Sequence, residues 1–188
     1  MSQTRVRSVA HGISGWGIRT HWARSEAWQP LRRRVLAWWL GARFLGTRGV
    51  VFQKQGNDCG LAALQMVLEH FCVGAAAGDV KRLVRLKPQG TTLRTLGGAA
   101  EALGLRAYGW ILQDRDLRRA SLPVLAWLKW GHYVVIVQLL ESGSLVVLDP
   151  AVGRLLYNPR PFWRHWAGEA LLFCRPGAAK PLPLARPA

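Results

Sequence analysis

A chain of 188 residues, half of them apolar, suits one domain with a proper core and excludes a chain disordered throughout. Cys59, Cys72 and Cys174 stand at unrelated spacings with no CxxC pair, which argues against a zinc site or a secreted disulfide framework; a reducing compartment is expected, with no metal and no cofactor. The net charge of +16 is carried mostly by arginine and leaves an anionic membrane surface, an acidic peptide or nucleic acid as partners. Nucleic acid is the least favoured, because an arginine bias also follows genomic composition.

Residues 1–49 read as a basic, tryptophan-rich extension. Residues 1–50 hold nine arginines, one acidic residue (Glu26) and five of the ten tryptophans: Trp16, Trp22, Trp28, Trp38 and Trp39. Early positive charge is not followed by an uninterrupted apolar run, so no signal peptide is expected. The stretch near 30–45 reads as an amphipathic helix with Leu31, Val35, Trp38, Trp39, Ala42 and Leu45 on one face. Its longest apolar run, 35–42, is too short to cross a bilayer. Two readings stay open for it: packing on the body of the domain, or lying on an anionic membrane or membrane partner with tryptophans at headgroup depth.

Residues 53–68, QKQGNDCGLAALQMVL, form a polar loop that gives way to an apolar helix ending near Phe71. Cys59 falls on the first turn, where unpaired N–H groups and the helix dipole favour a thiolate. Asp58 is placed to cap that helix. A Gly/Ala-rich turn follows, then a short helix opened by Asp79 and an amphipathic helix opened by Thr92 and closed by Gly104.

The second half changes period. Strands are predicted over 105–112, 123–128, 132–140, 145–148 and 170–174, with a tight turn at Lys129-Trp130-Gly131 and a short helix over 159–166. Nothing regular is assigned between Pro150 and Pro159. Residues 176–188 read as a Pro/Ala-rich tail. Helices first and an antiparallel sheet after them predict an α+β fold.

The predicted hairpin turned at 142–144 brings the start of one strand beside the end of the next. His132 and Asp149 then share an open end. Asp149 is expected to accept the Nδ1 proton of His132, leaving Nε2 to take the proton of Cys59. Each residue also has an ordinary reading: a buried inert thiol, a satisfied strand histidine, and a turn-forming aspartate before proline.

QKQGNDCGLAALQMVL resembles the nucleophile motif of the C39 peptidases, which cut double-glycine leaders from bacteriocin-like precursors. GHYVVIV resembles their histidine motif, and LVVLDPAVGRLLY followed by FWRHWAG resembles their aspartate motif. The resemblance spans residues 50–175. It implies a papain-like fold, with Cys59 as nucleophile, His132 as base and then acid, and Asp149 as orienter. It further implies that Gln53 donates its side-chain amide to the oxyanion hole; Gln55 is the poorer rival by family spacing. Ala63 stands where the common pattern has a second cysteine.

Most members of that family are cytosolic N-terminal domains of ABC transporters, whereas no transporter segment or P-loop follows here. The expectation is therefore a stand-alone enzyme in the cytoplasm, peripheral to the membrane or free. Its expected partners are a leader-containing precursor peptide and a separate ABC exporter. The alternatives are a catalytically idle docking module for leader peptides and an acyl-transferring or cyclising enzyme built on the same residues.

Overall fold

The computed structural model describes residues 29–182. The expectations for Trp16, Trp22, Trp28 and the rest of 1–28, and for 183–188, lie outside the described residues. The centre of the fold is a seven-stranded antiparallel sheet in the order β1-β6-β5-β4-β3-β7-β2. Its strands are β1 (Ala42–Gly46), β2 (Arg106–Ile111), β3 (Val124–Leu128), β4 (His132–Leu139), β5 (Leu145–Asp149), β6 (Gly153–Tyr157) and β7 (Trp166–Cys174).

The middle of the sheet is covered on both faces, so its central strands alternate between two cores rather than between core and water. On β4, Val134 and Ile136 enter one core while Tyr133 and Val135 enter the other. On β3, Val124, Ala126 and Leu128 oppose Leu125 in the same way. The helices α2 (Cys59–His70), α3 (Ala77–Val84) and α4 (Leu93–Ala102) close one side. The other is closed by α1 (Gln29–Trp39), α5 (Asp114–Leu117) and α6 (Pro159–His165) through Ala37, Leu117 and Phe162.

α2 anchors the half of the molecule that carries Cys59. Leu64, Val67 and Leu68 are fully buried on it, and each such side chain contributes about 1.5–3 kcal/mol of burial. Phe71 ends the helix as expected. Thr92 caps α4 by accepting from the Thr95 N–H. Asp79 does not open α3; the helix starts at Ala77, and the Asp79 carboxylate reaches back to the Ala76 N–H.

Three sequence expectations are corrected. The helix near 30–45 ends at Trp39, and Ala42–Gly46 is an edge strand paired with β6. Gly41 makes the break: its φ is +70°, and a side chain there would stand 2.9 Å from Pro161 Cβ. Ala42, Phe44 and Gly46 then face inward with Arg43 and Leu45 outward, a period of two that a helical wheel hides. The apolar face is also reversed, because α1 packs through Leu36, Ala37 and Leu40 while Leu31, Val35, Trp38 and Trp39 face outward. Finally, Gly153–Tyr157 is a strand where no element was assigned; five residues between turns leave too little pattern to register, yet β6 pairs on both sides.

The start of the tail also belongs to the body: the Pro181 carbonyl accepts from the Ser121 N–H, and Leu182 joins the core.

Candidate active site

Cys59 is the first residue of α2 and is buried, at 6% exposure. Asp58 occupies the cap position, but its carboxylate does not cap α2. It accepts instead from the N–H groups of Lys54 (3.1 Å) and Gln55 (3.0 Å) and so folds the preceding loop back on itself. Gly60 lets the helix start come close to its neighbours. A Cβ there would lie 2.5 Å from Thr91 Cγ2 and 3.0 Å from the Tyr133 ring.

α2 lays its first turn against the start of β4, which carries His132. β5 runs antiparallel to β4 and delivers Asp149 to the same end, from a position seventeen residues further along the chain. The His132 Nε2 lies 3.0 Å from the Asp149 Oδ1. That oxygen also accepts from the N–H groups of Ala151 (2.7 Å) and Val152 (3.2 Å), so the carboxylate is held from its own turn. Asp149 is 2% exposed and His132 14%.

The ring is turned over relative to the expectation. Nε2, not Nδ1, meets Asp149, which leaves Nδ1 for the hydrogen bond that His132 shares with Cys59. The reason is geometric. The nitrogen near the backbone stays close to α2, which packs on the same strand, and the distal nitrogen reaches across to the neighbouring strand.

Electrostatics favour a thiolate–imidazolium pair. Burial disfavours charge on Cys59, but the His132 hydrogen bond, the Tyr133 backbone bond, the His132 charge and the Gly60 backbone bond outweigh it and hold the thiol below its ordinary value. Burial also disfavours charge on His132, yet its bonds to Asp149 and Cys59 and their charges raise it to about 9.

Gln53 arrives by a different route. Its N–H donates to the Pro150 carbonyl (3.0 Å), tying the loop to the turn after Asp149. Its side-chain Nε2 donates to the Gln55 carbonyl at 2.9 Å, and its Oε1 is buried without a partner. One amide proton of Gln53 is thus spent within the loop and one is left. Gln55 offers the loop its carbonyl and is exposed.

Beside Cys59 lies a cavity of about 430 Å³ whose lining includes Asn57, Gly90, Thr91, Trp127 and Tyr133. These residues were not singled out from sequence. Asn57 and Tyr133 lie within the quoted motifs, but nothing in the pattern marks Trp127. The Trp127 and Tyr133 rings pack at 4.3 Å, and the Tyr133 hydroxyl donates to the Thr91 carbonyl. Asn57 Nδ2 donates to the Lys87 carbonyl at 3.1 Å and so fixes the 87–90 turn as a wall. On the other side of the 53–58 loop runs a groove of about 500 Å³, with Phe52, Leu61, Val80 and Leu86 in its lining and Lys54, Lys81 and Lys87 among its polar residues. A larger cavity, of about 800 Å³, lies between α5 and α6, away from Cys59.

Cys59, Cys72 and Cys174 are all free thiols. Among the described residues no cluster of His, Cys, Asp and Glu is placed to hold a metal ion, and no helix is long and apolar enough to cross a membrane.

A cysteine at a helix start, bonded to a histidine that is backed by a buried aspartate, on an α+β frame of this kind, is the arrangement of a papain-like peptidase domain. The chain belongs to the peptidase C39 family, whose model matches residues 47–178. It is 33% identical over 132 residues, 70% of this chain and 92% of the other, to an uncharacterised protein of Methanothermobacter thermautotrophicus. It is 30% identical over 122 residues to the colicin V secretion/processing ATP-binding protein of Escherichia coli, covering 65% of this chain but 17% of that much longer one. Among solved structures it resembles a double glycine motif protease from an AMS/PCAT transporter in complex with its leader peptide, with a TM-score of 0.63 and 24% identity over 67% of this chain and 90% of that one. That likeness is one of fold, and it is the papain-like fold expected from the motifs.

Proposed function

We propose that this protein is a cysteine endopeptidase that removes the leader of a ribosomally made precursor peptide after a Gly-Gly junction. The observation that carries this reading is the contact chain Cys59–His132–Asp149, with 3.0 Å between His132 Nε2 and Asp149 Oδ1, inside a C39 family chain. The Cys59 thiolate attacks the carbonyl carbon of the second glycine. The developing oxyanion takes the Cys59 N–H and the remaining Gln53 amide proton. His132, protonated at Nδ1, delivers that proton to the leaving amine. It then takes a proton from the water that attacks the thioester, freeing the leader acid and restoring the thiolate.

The cavity walled by Trp127, Thr91 and Tyr133 favours glycine at the cut, since side chains there would meet an aromatic pair and the 87–90 turn. The lysine-flanked groove suits an amphipathic leader with acidic residues beside its apolar ones. Such a precursor is present in the cytoplasm, where an ABC exporter would take over the trimmed peptide. A full catalytic set favours an enzyme over an idle docking module.

The test is incubation of the purified chain, under reducing conditions, with a precursor carrying a Gly-Gly junction. Two products whose masses sum to the precursor plus water are expected, and Cys59→Ala yields none. His132→Ala loses more turnover than Asp149→Ala, because the first removes the proton carrier and the second only its orientation. An intact precursor overturns the proposal, and a product lacking the added water identifies acyl transfer instead.

A further inference from the structure

α1 buries the smaller of its two apolar sides. Leu36, Ala37 and Leu40 pack on the sheet, whereas Leu31, Val35, Trp38 and Trp39 are 53%, 50%, 75% and 80% exposed. Those four lie at i, i+4, i+7 and i+8, so they form one stripe. Soluble surfaces seldom leave two adjacent indoles this open. Arg32, Arg34 and Arg43 are exposed around the stripe, and no acidic residue occurs from position 27 to 57.

The stripe continues into the rest of the protein. The Leu40 carbonyl accepts a hydrogen bond from the His165 ring, which packs edge-on to the Trp130 ring at 4.6 Å. The Lys129 N–H donates to the His165 carbonyl, and its Nζ donates to the Arg164 carbonyl. Trp130 is itself 46% exposed. His165 thus joins the end of α1 to the β3–β4 turn, and the residues just past that turn are Gly131, in the cavity beside Cys59, and His132.

We propose that this surface, formed by Leu31, Val35, Trp38, Trp39 and Trp130 within a rim of arginine and lysine, docks the protein on an anionic lipid bilayer. The indoles sit at headgroup depth, and the arginines lay their apolar stems on the acyl boundary with guanidiniums at the phosphates. Charge decides between occupants. A second copy would set one basic rim against another, and residues 1–28, with four arginines and one acidic residue, would do the same. The outward side of a single helix also offers no groove for a partner's anchor residue, whereas a bilayer needs none.

The test is flotation of the full chain with vesicles of phosphatidylcholine and phosphatidylglycerol, against phosphatidylcholine alone. Binding to the anionic vesicles only is expected. It should weaken about tenfold or more in Trp38→Ser/Trp39→Ser, and as strongly in Arg32→Gln/Arg34→Gln/Arg43→Gln. Both sets of positions are exposed, so the melting temperature should stay unchanged. Failure of the wild type to float overturns the proposal. So does undiminished flotation of the tryptophan variant, which would place the attraction elsewhere in the chain. A lipid-free dimer that the tryptophan variant dissolves, detected by light scattering, assigns the surface to self-association instead. Peptide cleavage is not the readout, so this result stands apart from that of the peptidase reading.

Discussion

Two residues whose ordinary pKa values would leave them neutral above neutrality are driven toward opposite charges. Once burial has been overcome, Cys59 is held below its usual 9.0 by His132 and the Tyr133 and Gly60 backbone bonds, and His132 is raised to about 9 by Asp149 and Cys59. The sign follows from the two directions. Between the lowered thiol value and about 9, Cys59 is thiolate and His132 is imidazolium; above about 9 the imidazole loses its proton. Iodoacetamide alkylation of Cys59, followed by mass spectrometry, should therefore be faster at neutral pH than that of an ordinary thiol of pKa 9.0. In His132→Ala the rate at that pH should fall by about tenfold or more. Peptidase turnover should decline as pH rises through about 9, since the leaving amine then has no proton donor. Equal alkylation rates in wild type and variant would mean that His132 does not ionise Cys59.

At the scale of elements, the 53–58 loop matters more than its length suggests. Asp58 was expected to cap α2, but it gathers the Lys54 and Gln55 N–H groups and thereby sets where Gln53 and the helix start lie. Asp58→Ala should cost about 1 kcal/mol of stability for the two lost bonds. It should lower kcat about tenfold or more, because the proposed oxyanion donors are displaced, and raise KM more modestly, because Lys54 and Asp58 also line the groove. A thermal melt together with steady-state kinetics on the precursor checks both parts. A purely raised KM would instead make the loop part of substrate binding. Gly60 teaches the same lesson in packing. Gly60→Ala would press on Thr91 and Tyr133, and overpacking of this kind costs about 1–3 kcal/mol; its melting temperature should fall accordingly.

For the molecule as a whole, the sheet is what assembles the site. His132 and Asp149 share one hairpin, whereas no local signal along the chain brings the helix that carries Cys59 to them. The two covers of the sheet also divide the labour. α2, α3 and α4 carry Cys59 and the lysine-flanked groove, while α1 on the other cover and Trp130 in the β3–β4 turn hold the indole-bearing surface. With a net charge of +16, capture of an acidic leader should depend on ionic strength. Raising salt from about 0.05 to about 0.5 M should increase KM severalfold with kcat nearly constant. A salt-independent KM would leave apolar contacts alone to hold the leader.

Much of this was legible in the chain. The α2 helix, the strands of the second half other than β6 and the hairpin that pairs His132 with Asp149 follow from local pattern, because period and turn residues act within a few positions of one another. The motifs then named the residues. What local pattern missed are matters of partnership. Ala42–Gly46 becomes a strand because β6 offers it an edge and Gly41 turns against Pro161. α1 shows its larger apolar face outward because the space on the sheet fits Leu36, Ala37 and Leu40. The nitrogen that His132 turns to Asp149 depends on which neighbour stands nearer its backbone. Residue type and spacing determined which chemical groups this protein has. Tertiary packing decided which atom of each group meets which, because those distances are set by contacts between segments that lie far apart in the chain.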